Sequence, residues 1–451
     1  MMTSSMNFEH LWTFDVGYNG TVMVQADLDG DGRPESASQS TQGDCLVVWD
    51  SMGQERWMAR IDADIELPYF YYPKVIVDPD GRRHWEFDER TVPESPVLSA
   101  QGWFPAPVVL DLDGDGALEM IAARQRLVVF DARTGKVKRQ WLGPDGRLGG
   151  RQEIPHLRQV IGRITLIRGR GDEVRILVPT WPRGLFCLDL DLNVVWHRNL
   201  PISAHSCVSG DVDGDGYDET LWASTGTGNR DGTAVLWLFD WDGEIRFKHW
   251  TNDFMEDDHI DGALMLPPEG ARPGRIVLSD GPVFDPTGKL IYNMHGPLGH
   301  GQKVKLIQRP EGDSIFIYAD RDPKTPSGRV VATDWEGHIL WTRDDLTAAS
   351  GHRVSMVHPV DWDGQGAREI VVSEVGGWGP TAHVGEGTYH LYFLDADGQT
   401  LGTLAFHDSG YNRHGYPFSG GEPYFVDLDG DGMRELCILR YDGHMQAFKR
   451  C

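Results

Sequence analysis

The sequence predicts an all-β fold, an eight-bladed β-propeller of four-stranded blades whose ring is closed by the N-terminal strand completing the last blade. Three observations predict it. An acidic loop of calcium-binding type recurs along the chain. A strand–turn–strand unit with a marker aspartate recurs seven times. No stretch sustains the 3.6-residue apolar period of an amphipathic helix.

The marker units occupy 46–57 around Asp50, 127–141 around Asp131, 185–196 around Asp189, 236–250 around Asp240, 282–294 around Asp285, 330–341 around Asp334 and 391–404 around Asp395. Each reads apolar strand, Asp, short turn, then a second apolar strand that often ends in Trp; turns such as Thr134-Gly135, Asp242-Gly243 and Asp397-Gly398 are hairpin turns. Successive marker aspartates lie 81, 58, 51, 45, 49 and 61 residues apart. A period near fifty with four short strands describes propeller blades. Each hairpin supplies the third and fourth strands. The last unit has only three strands before the chain ends, and the stretch from His10 to Asp15 has the character of the missing one. Pairing the two removes an open sheet edge. The chain therefore reads as one propeller over 1–451. An insertion, 62–101, falls on the channel-mouth face. Its Tyr69, Phe70, Tyr71, Tyr72, His84 and Trp85 suit either a satellite core or a sugar-stacking surface.

The acidic loop joins strands one and two. Its copies place Asp27, Asp29, Asp31 and Glu35; Asp111, Asp113, Asp115 and Glu119; Asp211, Asp213, Asp215 and Glu219; and Asp427, Asp429, Asp431 and Glu435 at one spacing. A fifth copy keeps Asp361, Asp363 and Glu369 but has Gln365 at position 5. Ca²⁺ takes six to eight hard oxygens on a flexible loop, and glycine at position 6 permits the bend. An EF-hand needs Glu at position 12 between helices, where this chain has Ser38 or Ala122 between β-branched flanks. The loops are expected to hold several structural Ca²⁺ ions, weakest at the Gln365 copy. Three units have a basic, proline-rich or shortened turn instead, near 163–174, 267–275 and 308–313.

With 42 basic and 68 acidic residues, the net charge is −26, which disfavours nucleic acid and anionic membranes as partners. No apolar run is long enough to span a bilayer. The N-terminus shows no secretory apolar region, which points to the cytoplasm, whereas abundant calcium sites fit an extracellular or periplasmic setting better. Five cysteines without framework spacing read as free thiols.

In a propeller the starts of the innermost strands ring the channel mouth, opposite the acidic loops. The residues there are Asn19, Trp103, His156, His205, His259, His300, His352 and His414, so six of eight blades offer histidine. Lys303, Arg353, Tyr411, Arg413 and Tyr416 lie beside them. Loops between strands two and three add Trp181, Arg183, Asn229, Arg230, Asp320, Arg321, Glu374, Trp378 and His383. One histidine at a strand start is ordinary, but six equivalent ones converge on one funnel. Arg beside Trp suits a carboxylated sugar, with the guanidinium on the carboxylate and the ring on the pyranose.

The Asp-x-Asp-Gly-Asp-Gly-x-x-Glu loops, with His-Gly and His-x-Asp at inner-strand starts, resemble the rhamnogalacturonan lyases of polysaccharide lyase family 11. The likeness lies in 205–219, 259–266, 285–288, 299–303 and 420–435. It implies β-elimination at a uronic acid of an acidic oligo- or polysaccharide, of rhamnogalacturonan or rhamnose–glucuronate type. On this resemblance proton transfer falls to His205, His259 or His300, with Tyr416 in reserve. Lys303, Arg353 and Arg413 bind the carboxylate, and His156, His352, His414, Trp181, Arg183, Arg230 and Trp378 complete the subsites. A further divalent cation in the funnel is compatible with that chemistry. Two other readings stay open: a non-catalytic calcium-dependent propeller that binds carbohydrate or protein, and a glycoside hydrolase releasing rhamnose from glucuronate.

Overall fold

The computed structural model describes residues 6–15, 20–40, 45–61, 74–77, 83–86, 106–124, 126–143, 160–161, 163–181, 184–200, 204–224, 235–250, 254, 260–309, 312–321, 328–348, 353–375, 387–408, 423–439 and 444–451. It is an eight-bladed β-propeller of antiparallel blades. The first strands of the eight blades are Gly20–Ala26, Val108–Leu110, Thr165–Arg168, Ala204–Gly210, Ala263–Leu266, Gly301–Ile307, Arg353–Val360 and Pro423–Val426. They are innermost, because first strands of successive blades pack on one another, as Gly301–Ile307 does on Arg353–Val360. In the third blade a short piece, Val160–Ile161, also pairs with the second strand. The eighth blade is completed by Phe8–Asp15, which runs antiparallel to His444–Arg450. The ring closes as the sequence predicts.

The apolar runs are continuous rather than alternating because both faces of each blade are buried. Ile121, Ala123, Leu127 and Val129 face the third blade. Met120, Ala122, Val128 and Phe130, one residue out of step with them, face the first. Every interface between neighbouring blades has a hydrophobic core of this kind.

The recurrent Trp has a defined task. Trp57 on the outer strand of the first blade lies flat on Gly135 in the second blade's hairpin turn. A Cβ there, at φ +69°, would sit 2.7 Å from the indole. The indole Nε1–H of Trp57 donates to the Ala132 carbonyl at 2.9 Å. Trp196 and Trp341 cover Gly243 and Gly398 in the same way, and their Nε1–H groups donate to Trp241 and Ala396. In the fourth blade the covering ring is Phe247, not the strand-ending Trp250, which is 43% exposed.

Helix is confined, among the described residues, to the turn His295–Leu298, and no helix there is long and apolar enough to cross a membrane. Within the insertion, Lys74–Val77 and Arg83–Glu86 pair as a hairpin carrying His84 and Trp85. The other residues of 62–101 lie outside the described residues.

Candidate functional site

The acidic loops fold around their first aspartate. Asp27 accepts the Gly30 N–H at 2.8 Å and the Gly32 N–H at 2.9 Å. Asp111, Asp211 and Asp427 repeat these two bonds. The closing glutamate is buried and accepts the N–H of position 2: Leu28 to Glu35, Leu112 to Glu119, Val212 to Glu219 and Leu428 to Glu435. In the Gln365 copy Glu369 instead accepts Trp362 Nε1–H at 2.6 Å.

Carboxylate oxygens of Asp27, Asp29 and Glu35 lie within 4.8 Å of one another, as do those of Asp111, Asp113 and Asp115; Asp211, Asp213 and Glu219; and Asp427, Asp429 and Glu435. The donor set is all hard oxygen, which fits Ca²⁺. Glu435 Oε1 is buried with no hydrogen-bond partner and lies 3.7 Å from the Lys449 ammonium, a position that suits an oxygen facing a cation. Burial raises the Glu35 and Glu435 carboxyls and pushes Glu219 up to about 7.

Each loop also carries a basic side chain that sequence spacing did not reveal. Arg56 meets Asp29 at 2.5 Å. Lys138 holds Asp113 and Glu119. Arg246 meets Asp213 at 2.6 Å and Glu219 at 2.7 Å. Lys449 meets Asp429 at 2.6 Å and Asp431 at 2.7 Å. An arriving cation must share these carboxylates with the resident one.

On the opposite face the start of the sixth blade builds a polar cluster around His300. The ring's Nε2 is 2.7 Å from the Gln302 amide nitrogen and 3.5 Å from Asp261 Oδ2. Gln302 also donates to Asp261. With the amide donating, Nε2 is the acceptor and the neutral ring carries its proton on Nδ1. The backbone around His300 is fixed. Its N–H donates to Asp320 Oδ1 at 3.0 Å, and its carbonyl accepts the Arg321 N–H at 2.8 Å. The Gly301 N–H donates to Asp280. A Cβ on Gly301 would lie 1.8 Å from the Ser279 carbonyl oxygen, so the His-Gly pair lets the fifth and sixth blades approach.

The same sector carries Lys303, Arg321 and Arg353. Lys303 Nζ donates to the Asp261 carbonyl at 3.1 Å. Arg321, 4% exposed, donates from Nε to the Val354 carbonyl. Burial lowers Arg321 to about 10; the Asp261 charge opposes the shift and the Arg353 charge adds to it. Arg321 remains a cation at neutral pH. Asp320 is fully buried and held by Arg329 Nε at 2.7 Å. Val354 pairs across the seventh blade with Glu374. That buried carboxylate accepts the Tyr392 hydroxyl at 2.6 Å and lies 3.1 Å from His390 Nδ1.

Of the residues named from sequence, the structure brings His300, Lys303 and Arg353 to one mouth, with Asp320 and Arg321. His205 and Trp181 lie on strands Ala204–Gly210 and Val174–Trp181. His156, Arg183, Arg230, His259, His352, Trp378, Arg413, His414 and Tyr416 lie outside the described residues, as do Asn19, Trp103, Asn229, His383 and Tyr411. Gln302, Asp280, His390 and Tyr392 are additions from the structure. No repeat marks them, since they serve one funnel sector rather than every blade.

No family model matches the chain, and no curated protein matches it. Among solved structures, BBS1N in complex with ARL6DN aligns with TM-score 0.51 at 11% identity, covering 98% of this chain and 96% of that one. The Dos1 propeller aligns with TM-score 0.52 at 12% identity, covering 98% and 95%. At such identity the likeness is one of fold alone.

Proposed function

We propose that the channel mouth at blades five to seven binds a uronic-acid-containing glycan and cleaves it by β-elimination. The observation that carries the reading is the gathering of Lys303, Arg321 and Arg353 around a histidine backed by Asp261. A uronate carboxylate held by Lys303 and Arg353, in the positive field of the buried Arg321, acidifies the neighbouring C5–H. His300 takes that proton on Nε2 once substrate has displaced the Gln302 amide from it, and its charged form gains an ion pair with Asp261. The C5–H electrons become the C4–C5 double bond, the bond from C4 to the glycosidic oxygen breaks, and an acid returns a proton to that oxygen. No water or oxidant is consumed. His390, set on Glu374, and the predicted Tyr416 are the acids this reading offers. The acidic loops then hold Ca²⁺ as structural clasps on the far face.

The test is a panel of uronate oligo- and polysaccharides followed by the ultraviolet absorbance of the unsaturated product. His300→Gln is expected to remove at least about a hundredfold of the rate. Full activity in that variant overturns the assignment. Saturable binding without turnover on every glycan replaces it with a binding propeller.

A further inference from the structure

In the fifth, sixth and seventh blades the second strand opens at Arg275, Ile315 and Glu369, each opposite the last residue of the first strand. Five residues on, at the mouth end, stand Asp280, Asp320 and Glu374. All three are at most 1% exposed. The same count in the first four blades gives Ser40, Arg124, Pro179 and Ser224. Buried carboxylates at this register position therefore mark the sector that carries Lys303, Arg321 and Arg353.

The three are used differently. Asp280 accepts the Ser279 hydroxyl at 2.9 Å and the Gly301 N–H at 3.2 Å. Asp320 accepts the His300 N–H and Arg329 Nε. Both fix the backbone beneath His300. Glu374 holds a second histidine instead. Its Oε2 accepts the His390 N–H at 2.9 Å and lies 3.1 Å from Nδ1 of the ring. Its Oε1 accepts the Tyr392 hydroxyl at 2.6 Å.

An ionised carboxylate only accepts, so the neutral His390 ring carries its proton on Nδ1 and presents Nε2 as an acceptor. Tyr392 stacks beside the ring with centroids 5.8 Å apart. Among the described residues nothing hydrogen-bonds Nε2, and the His390 side chain is 28% exposed. Its ring is held at one end and open at the other. His390 stands on the third strand of the seventh blade, Gly387–Asp395, and Arg353 opens the first. Two strand spacings separate them, about 10 Å of backbone. A uronate whose carboxylate sits on Arg353 leaves His390 to the neighbouring sugar.

We infer that His390 binds the sugar adjoining the uronate, accepting one of its hydroxyls at Nε2, and that Glu374 is the positioning residue that keeps this nitrogen an acceptor. A hydroxyl can donate to that lone pair, whereas a carboxylate cannot, so the subsite suits a neutral sugar. The inference rests on the glycan-cleaving reading and, within it, leaves the proton return to Tyr416.

The test joins kinetics to the ¹⁵N resonances of labelled histidine. His390→Gln is expected to raise KM for a uronate oligosaccharide about three- to tenfold, the worth of one neutral hydrogen bond, with kcat kept. In His300→Gln protein, where cleavage is slow, the same oligosaccharide is expected to shift the His390 Nε2 resonance. Free glucuronate, which has the carboxylate without the neighbouring sugar, is expected to leave it in place. Glu374→Gln is expected to move that resonance before any ligand is added, by mixing the two tautomers. An unmoved resonance there overturns the positioning role; should that variant not fold, the His390→Gln results decide. A loss of kcat at constant KM in His390→Gln overturns the inference and makes His390 the acid. A resonance indifferent to bound oligosaccharide also overturns it, and the cleavage reading stands. If no uronate glycan is bound or cleaved, both fall.

Discussion

At the scale of single residues, two glycines and one arginine test the geometry. Gly301 has no room for a methyl group beneath the Ser279 carbonyl. Gly301→Ala is expected to cost about 3 kcal/mol, read as a fall in the denaturant midpoint, and to disturb His300 with it. Gly135 combines φ +69° with contact against Trp57. Gly135→Ala is expected to cost about 2–4 kcal/mol from left-handed strain plus overpacking. The third blade has Leu192 at φ 67°, and its side chain enters the core with Trp141, so burial there offsets the strain. At the mouth, Arg353→Ala is expected to raise KM for a uronate substrate by about ten- to a hundredfold, the worth of a charged hydrogen bond, with a smaller change in kcat.

At the scale of elements, the blade junctions carry the predictions. Lys138 occupies the second acidic loop with its own charge. Lys138→Gln is expected to tighten divalent-cation binding there and enlarge the Tm rise on adding Ca²⁺, which titrated melting curves would show. The linker from the sixth to the seventh blade offers a pH test. The Arg343 guanidinium, with Nε 2.7 Å from Asp345 Oδ1, holds the Asp345 carboxyl below its ordinary 3.8. A depressed carboxyl stabilises above its unfolded pKa, and that stability is lost as pH falls through the lower folded value. Asp345 is exposed, so Asp345→Asn is expected to cost under about 1 kcal/mol at neutral pH and nothing in strong acid. Much at this scale was legible. The marker aspartates located seven hairpins, because their carboxylates cap the same kind of turn in successive blades; the third blade's turn has Leu192 where others have glycine. The covering role of Phe247 over Trp250 was not, since which aromatic reaches the next turn depends on strand register.

At the scale of the whole molecule, ring closure and charge distribution decide the account. Phe8–Asp15 pairs along His444–Arg450, so the chain's two ends are locked in one sheet. Deleting that strand opens an edge and is expected to give aggregation and a lower melting temperature. Chelation of a Ca²⁺-loaded protein is likewise expected to lower Tm, because a ligand of the folded state stabilises by mass action. An unmoved melting curve would leave the loops as turns neutralised by Arg56, Lys138, Arg246 and Lys449 alone. The candidate site was legible where the repeat frame reached it: His300, Lys303, Arg353 and Arg321 stand at strand ends that counting locates. Gln302, Asp280 and the Glu374–His390 pair depend on three blades meeting in space, which one-dimensional spacing does not record.

The most direct test of the central claim is the product formed from a uronate glycan by wild-type protein and by His300→Gln. The wild-type product is expected to carry an unsaturated uronate end, one water lighter than the hydrolytic fragment, and to be nearly absent from the variant. A saturated product, or equal amounts of the unsaturated one from both proteins, would contradict it.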